Sequence, residues 1–230
     1  MKKIPLIISL VVLLALGGNA QSGDLRFGLK LCPSFDWASS GSSKTANKGV
    51  KMGFGAGAIV DYYLTKHIAV SAGVDVNYCR MKYRFTDYGK TTGFLVDTEV
   101  SVLRRLQSAN LDFPIKIKGK FNVADLFNAY AEAGIGLGFN LKDYGKDDEY
   151  SVYWTDISET YDDCTNQYRA FQPSMIFGLG AEYEINRNLS MFAQLSFHRT
   201  FLNAFVGSLE KQTGSVIYNN FIGVEVGLMH

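Results

Sequence analysis

Beyond the first twenty residues the chain has no apolar run long enough to cross a membrane as a helix, which takes about 20 consecutive apolar residues, so a helical membrane protein is excluded. It also lacks a surplus of charge of either sign. With 23 Lys and Arg against 22 Asp and Glu there is no basic excess of the kind nucleic-acid binding draws on, and no nucleic-acid partner is expected. Histidine is scarce, and His67, His198 and His230 are too scattered to give metal-ligand spacing; neither a metal nor a cofactor is expected. The three cysteines, Cys32, Cys79 and Cys164, allow at most one disulfide within the chain. None is expected to be structural, because a sheet closed on itself by backbone hydrogen bonds needs no staple.

The amino terminus reads as an export signal. Met1, Lys2 and Lys3 form a basic start, Ile4 to Leu16 an apolar stretch, and Gly18-Asn19-Ala20 a run of small residues that predicts cleavage after Ala20. Residues 1–20 are thus a signal peptide and residues 21–230 one barrel domain, with 21 basic against 22 acidic side chains once Lys2 and Lys3 are removed.

What the remainder has in abundance is alternation. From Ala129 to Lys142, Ala131, Ala133, Ile135, Leu137, Phe139 and Leu141 fall on one side, while Tyr130, Glu132, Gly134, Gly136, Gly138, Asn140 and Lys142 fall on the other. A strand sends successive side chains to opposite faces, so this segment has one apolar and one polar, glycine-rich face. Seven further segments repeat the pattern: Leu25–Cys32, Met52–Tyr63, Ile68–Cys79, Ser108–Phe121, Phe171–Ile185, Leu189–His198 and one ending near Leu228. Behind an export signal, apolar faces of this kind point outward to lipid. The reading is all-β, an eight-stranded antiparallel up-and-down transmembrane β-barrel in the outer membrane of a Gram-negative-type bacterium, with outer-membrane lipid as its partner and a monomer favoured.

Short connections near His67, Phe127 and Arg187 alternate with longer ones: Pro33 and the run Ala38–Gly49, then Arg84–Arg105, Asp143–Arg169 and Arg199–Gly214. This asymmetry is that of bacterial outer-membrane barrels, with short periplasmic turns and longer outward loops. Pro114 predicts a local irregularity, because proline cannot donate to a sheet ladder.

Asn110-Leu111-Asp112-Phe113-Pro114-Ile115-Lys116-Ile117-Lys118-Gly119-Lys120-Phe121 resembles a strand of the outer-membrane β-barrel domain family abundant in Bacteroidetes and often called porin-family. Tyr130-Ala131-Glu132-Ala133-Gly134 is similar to that family's next strand. Gly178 to Ile185 with Asn188-Leu189-Ser190 is similar to its penultimate hairpin. The resemblance covers nearly all of the chain after Ala20. It implies an eight-stranded outer-membrane barrel and attaches no reaction to it.

Three constellations could carry function. Arg26, Lys30, Lys116, Lys118 and Lys120 face inward with Asp61, Asp75, Asp112, Glu132, Glu182, Glu184 and Glu225. An eight-stranded barrel is about wide enough for side chains to fill, so these charges are expected to pair into a plug, with the inward glycines keeping a small cavity open. The segment 143–169 carries Asp147, Asp148, Glu149, Tyr153, Trp154 and Tyr161, candidates for an extracellular ligand, although no spacing fits an EF-hand loop. Ser196 and His198 share the inward face two residues apart, which puts their backbones about 7 Å apart and calls for a bend before they could bond as nucleophile and base. The leading expectation is therefore a non-enzymatic barrel acting through its outer loops, with no catalytic residue. The alternatives are a lipocalin-like small-molecule barrel or a narrow porin, then a lipid-modifying barrel enzyme.

Overall fold

Eight long antiparallel strands form a closed ring in the computed structural model, which describes residues 25–89, 98–150, 155–157, 160–186, 188–206 and 214–230. The predicted signal peptide, Arg187, Tyr153 and Trp154 lie outside these residues. The strands are β1 (Leu25–Ser40), β2 (Lys51–Tyr63), β3 (Ile68–Gly89), β4 (Thr98–Ala124), β5 (Phe127–Tyr150), β6 (Phe171–Glu184), β7 (Ser190–Thr200) and β8 (Ile217–Met229). Each pairs with its neighbours in sequence, and β1 pairs with β8 to close the ring, with Lys30 opposite Gly227 and Leu31 opposite Val226. Closure removes both sheet edges, which is what lets a sheet satisfy its backbone in lipid.

One end carries tight turns. Between β2 and β3 the Thr65 Oγ1 accepts from the Ile68 N–H at 3.0 Å, and between β6 and β7 the Asn186 Oδ1 accepts from the Leu189 N–H at 2.8 Å. Only Asp125 and Leu126 separate β4 from β5. Along the ring the apolar positions face out, with Leu179 69 % and Ile117 65 % exposed, and the charged positions face in. The outward set assigned from alternation is found outward on all eight strands, an arrangement opposite to that of a soluble barrel.

At the other end the strands outrun the alternation. β3 is 22 residues long, roughly 70 Å of extended chain against an apolar band of about 25 Å. Its outward face is apolar through Val70, Val74, Val76 and Tyr78, then turns basic at Arg80, Lys82 and Arg84; its inward face changes in the reverse sense, from Ser71, Asp75 and Asn77 to Met81, Tyr83 and Phe85. The period of two continues while its polarity inverts. Residues 84–89, 98–105 and 143–150, expected as loop, are strand for this reason. Above the membrane the outside is water and the inside must supply its own apolar core.

Of the two prolines noted in the sequence, Pro33 corrects the expectation and Pro114 meets it. Pro33 does not end β1, which continues to Ser40; Pro33 pairs with Phe54 of β2 and leaves only its β8 side unbonded. Pro114 interrupts the ladder with β3 without shifting its register, and the Pro114 ring is accommodated beside Gly73. The register shift of this region lies instead between β4 and β5 at Ala109/Asn110, where β5 carries an extra residue. That bulge puts Leu141 and Lys142 outward in succession, so Lys142, expected inward, is exposed and lies 3.8 Å from Asp163.

Candidate functional site

The lumen is filled from the strands inward. Lys30 on β1 reaches Glu225 on β8 at 2.8 Å and Asp75 on β3 at 2.9 Å. Lys116 on β4 reaches Glu132 on β5 at 2.5 Å, and Gln194 on β7 donates to the same carboxylate at 2.9 Å. Lys118 binds Asp61 at 2.8 Å and lies over the Tyr130 ring at 4.2 Å. Nearest the turns, Glu182 takes Arg26 at 2.6 Å and Lys120 at 3.3 Å, and Lys120 also approaches Glu184 at 3.5 Å. Among these, Lys30, Lys116, Lys118, Lys120, Asp61, Asp75, Glu132, Glu182 and Glu225 are buried. Eleven of the twelve lumen charges named from the sequence are thus brought into ion pairs. Asp112 is the one left without a cation among the described residues, and accepts from the Asn77 Nδ2 at 2.6 Å.

Most inward glycines make room for this pairing, while Gly138 lines the small cavity that remains. Lys30 is flanked across the ladder by Gly57, and Asp75 leans over that glycine; a Cβ there would stand 1.9 Å from the Asp75 Oδ1. Gly55 stands in the same relation to Asn77, whose Oδ1 would be 2.1 Å from an added Cβ. A cavity of about 40 Å³ remains toward the loop end, lined by residues including Asp36, Asp112, His198 and Asn220, with room for a few waters. Asp36 and Ser34 were missed from the sequence because β1 was expected to stop at Cys32; the Ser34 hydroxyl donates to Asp36 at 2.7 Å, and the Arg80 N–H does so at 2.9 Å.

Above the charges sits an apolar cap that the sequence reading did not anticipate. Ala38, Met81, Tyr83, Phe85, Val102 and Leu106 from the strand extensions close with Cys164, Tyr168, Ala204, Phe205 and Ile217 from the connections and β8. Phe205 packs against Tyr83, Phe85 and Tyr168 with ring centroids 5.4–5.9 Å apart. Tyr83 and Tyr168 bond through their hydroxyls. Arg104 crosses the cap, donating to both Asp147 oxygens at 2.6 and 2.5 Å and to Gln167 Oε1 at 2.5 Å. Burial pushes the Tyr168 hydroxyl up to about 12 and the Cys164 thiol up to about 11. The inverted alternation Met81-Lys82-Tyr83-Arg84-Phe85 was the signal that could have revealed the cap.

The loop candidates separate. Asp147 is held by Arg104, and Asp148 accepts from Arg105 at 2.7 Å; both lie on strand β5. Glu149 is also in β5, paired in register with Asp156, while Tyr161 is 42 % exposed. Ser196 and His198 do not bond to each other. The His198 ring stacks on Phe221 at 4.0 Å and lies 3.9 Å from Glu225, and among the described residues no hydrogen-bond partner meets the Ser196 hydroxyl. All three cysteines are free and buried.

A family profile described as outer membrane protein beta-barrel domain matches residues 19–205. Among solved structures the chain is similar to Neisserial surface protein A, at 12 % identity over 89 % of this chain and 95 % of that one, with a TM-score of 0.44. It is also similar to the attachment invasion locus protein Ail of Yersinia pestis, at 9 % identity over 90 % and 99 % of the two chains, TM-score 0.40. A third is the outer membrane protease OmpT of Escherichia coli, at 8 % identity over 91 % and 97 %, TM-score 0.37. Among curated protein sequences none matches.

Proposed function

Because the chain belongs to the outer membrane protein beta-barrel domain family and resides in the outer membrane, we propose that it is a non-enzymatic barrel, closed to solutes, whose specific contacts are made by its loop end outside the cell. The observation that carries this reading is the buried ion-pair network, which occupies the lumen with Lys30, Lys116 and Lys118 each held against a carboxylate. The apolar cap supports it by standing over the network. The cavity of about 40 Å³ beneath the cap is far below the roughly 300 Å³ at which small-molecule sites begin, and the larger recess of about 440 Å³ at the turn end is an open mouth lined by Arg26, Lys120 and Glu184, polar where a lipocalin-like site is mostly apolar. The separation of Ser196 from His198 gives a lipid-modifying reaction no support.

Planar-bilayer recording tests the closed lumen. The purified barrel is expected to give no steady conductance, and a stable ion-selective current would overturn the proposal. The outward loop end is tested with a membrane-impermeant maleimide on intact cells: Asp162→Cys is expected to label, and Lys66→Cys only after permeabilisation. The reverse pattern would invert the orientation.

A further inference from the structure

Across β3, β4 and β5 the lower part of the outward face is apolar and its upper part basic, and on β3 the change is abrupt. On β3 the outward apolar run ends at Tyr78, 59 % exposed, and the next three outward residues are Arg80, Lys82 and Arg84. Lys82 stands directly opposite Arg105 of β4, and Arg105 directly opposite Lys146 of β5. Three cations therefore share one row across three adjacent strands, with Arg80 one row below and Arg84 one row above. Like charges facing each other across a ladder are destabilising. Arg105 is held by Asp148 and Lys146 has a partner of its own, whereas Arg80, Lys82 and Arg84 have no ion pair with a described residue. Lys48, whose backbone N–H donates to the Lys82 carbonyl at 3.0 Å, adds another exposed cation at the side.

Height decides what could neutralise the row. At about 3.3 Å per residue and a strand tilt near 40°, Arg80 and Lys82 stand roughly 5 and 10 Å above Tyr78 along the barrel axis. The polar layer of a bilayer is about 5–8 Å thick on each side, and long basic side chains reach along an interface by several ångströms. Arg80 is thus level with the lipid headgroups, and the row of Lys82 and Arg105 lies just above them, within reach of its long side chains.

We propose that the face formed by Arg80, Lys82 and Arg105, with Arg84 and Lys146 above and beside them, binds the phosphate groups of anionic lipids in the leaflet on the loop side. A phosphate set between Arg80, Lys82 and Arg84, the cations of this face with no ion pair to a described residue, offsets their mutual repulsion, and several contacts on one face favour a phosphomonoester over a zwitterionic headgroup. This rests on the barrel being inserted with its apolar belt in the bilayer, and not on the closed lumen.

The test reconstitutes the full chain in phosphatidylcholine vesicles containing a minor fraction of spin-labelled phosphatidic acid, and compares its motionally restricted population with that of spin-labelled phosphatidylcholine. Vesicle flotation and the heat-dependent gel mobility of the folded barrel are read first for every variant, so that loss of insertion is distinguished from loss of headgroup recognition. The unmodified protein is expected to prefer phosphatidic acid by about tenfold, and Arg80→Gln with Lys82→Gln to reduce this to about twofold or less while the barrel still floats and migrates as folded. Lys66→Gln, in the turn at the opposite end, is expected to leave the preference unchanged. Equal restriction of the two lipids by the unmodified protein, or an equal fall with Lys66→Gln, would overturn the proposal. So would complete displacement of the lipid preference by millimolar inorganic phosphate, which would make this a site for free anions.

Discussion

Truncating Glu132 should expose how dry the lumen is. Its carboxylate is buried with Lys116 at 2.5 Å and also accepts from the Gln194 amide at 2.9 Å. Glu132→Ala removes both contacts and leaves a buried ammonium without its bonded carboxylate, a loss of about 3–5 kcal/mol for a pair broken in a dry interior. The Gln194 donor adds a further ~1–3 kcal/mol if nothing replaces its acceptor. Water entering the vacated volume offsets part of the sum, so a net loss near ~3 kcal/mol is expected, more than a hundredfold in the folding equilibrium. Lys116→Met combined with Glu132→Met removes both charges at once and should lie within about 1 kcal/mol of the unmodified protein or above it, as buried pairs replaced by apolar residues often do. Urea titration in lipid vesicles, read by heat-dependent gel mobility, measures all three proteins. If Glu132→Ala loses less than about 1 kcal/mol and the double variant is the weaker of the two, the pair is solvated and the closed lumen is wrong.

Arg in place of Val74, Leu137 or Leu179, outward residues of the belt, should each lower stability by roughly 2–4 kcal/mol in the same titration, and three neutral substitutions would contradict the strand facing. Cys32, Cys79 and Cys164 are buried; the folded barrel at pH 8 should leave them unreacted with a thiol-specific chromophore, and denaturation should release three thiols per chain. Tyr168 has its folded value raised from 10.0 to about 12, so its contribution is fully present below about pH 10 and is lost as the pH rises through about 12. A difference titration at 295 nm against Tyr168→Phe should show the missing phenol ionising at the high end of that window, and ionisation near pH 10 would mean that the cap is open.

Alternation alone carried the eight strands and their facing, because in lipid the contrast between an apolar outside and a polar inside is enforced at every second residue. It failed where that contrast weakens or reverses. Arg84 to Arg105 looked like loop since polar residues occupy the outward positions there, yet Tyr83, Phe85, Val102 and Leu106 still recur at period two on the inward side. Pro33 looked like a terminator although only one of its two ladders suffers. Lys142 was misplaced because a one-residue bulge reverses every assignment beyond it, and bulges leave little trace in composition. Of the candidate site, the inward charges followed from strand phase. Their pairing across the lumen depends on residues as distant as Lys30 and Glu225, which no local pattern relates.

That separation bears on how the barrel reaches its final form. Lys30 and Glu225 sit on the first and last strands, on either side of the seam that closes the ring. A slip of two residues there would carry the partners about 7 Å past each other, and a slip of one would turn a buried charge toward lipid. The lumen therefore proofreads the seam. A mis-registered closure would leave ions stranded in a low-dielectric interior, whereas the observed one satisfies Lys30, Glu225 and Asp75 together, so the register of the seam and the pairing of the lumen are set by the same residues.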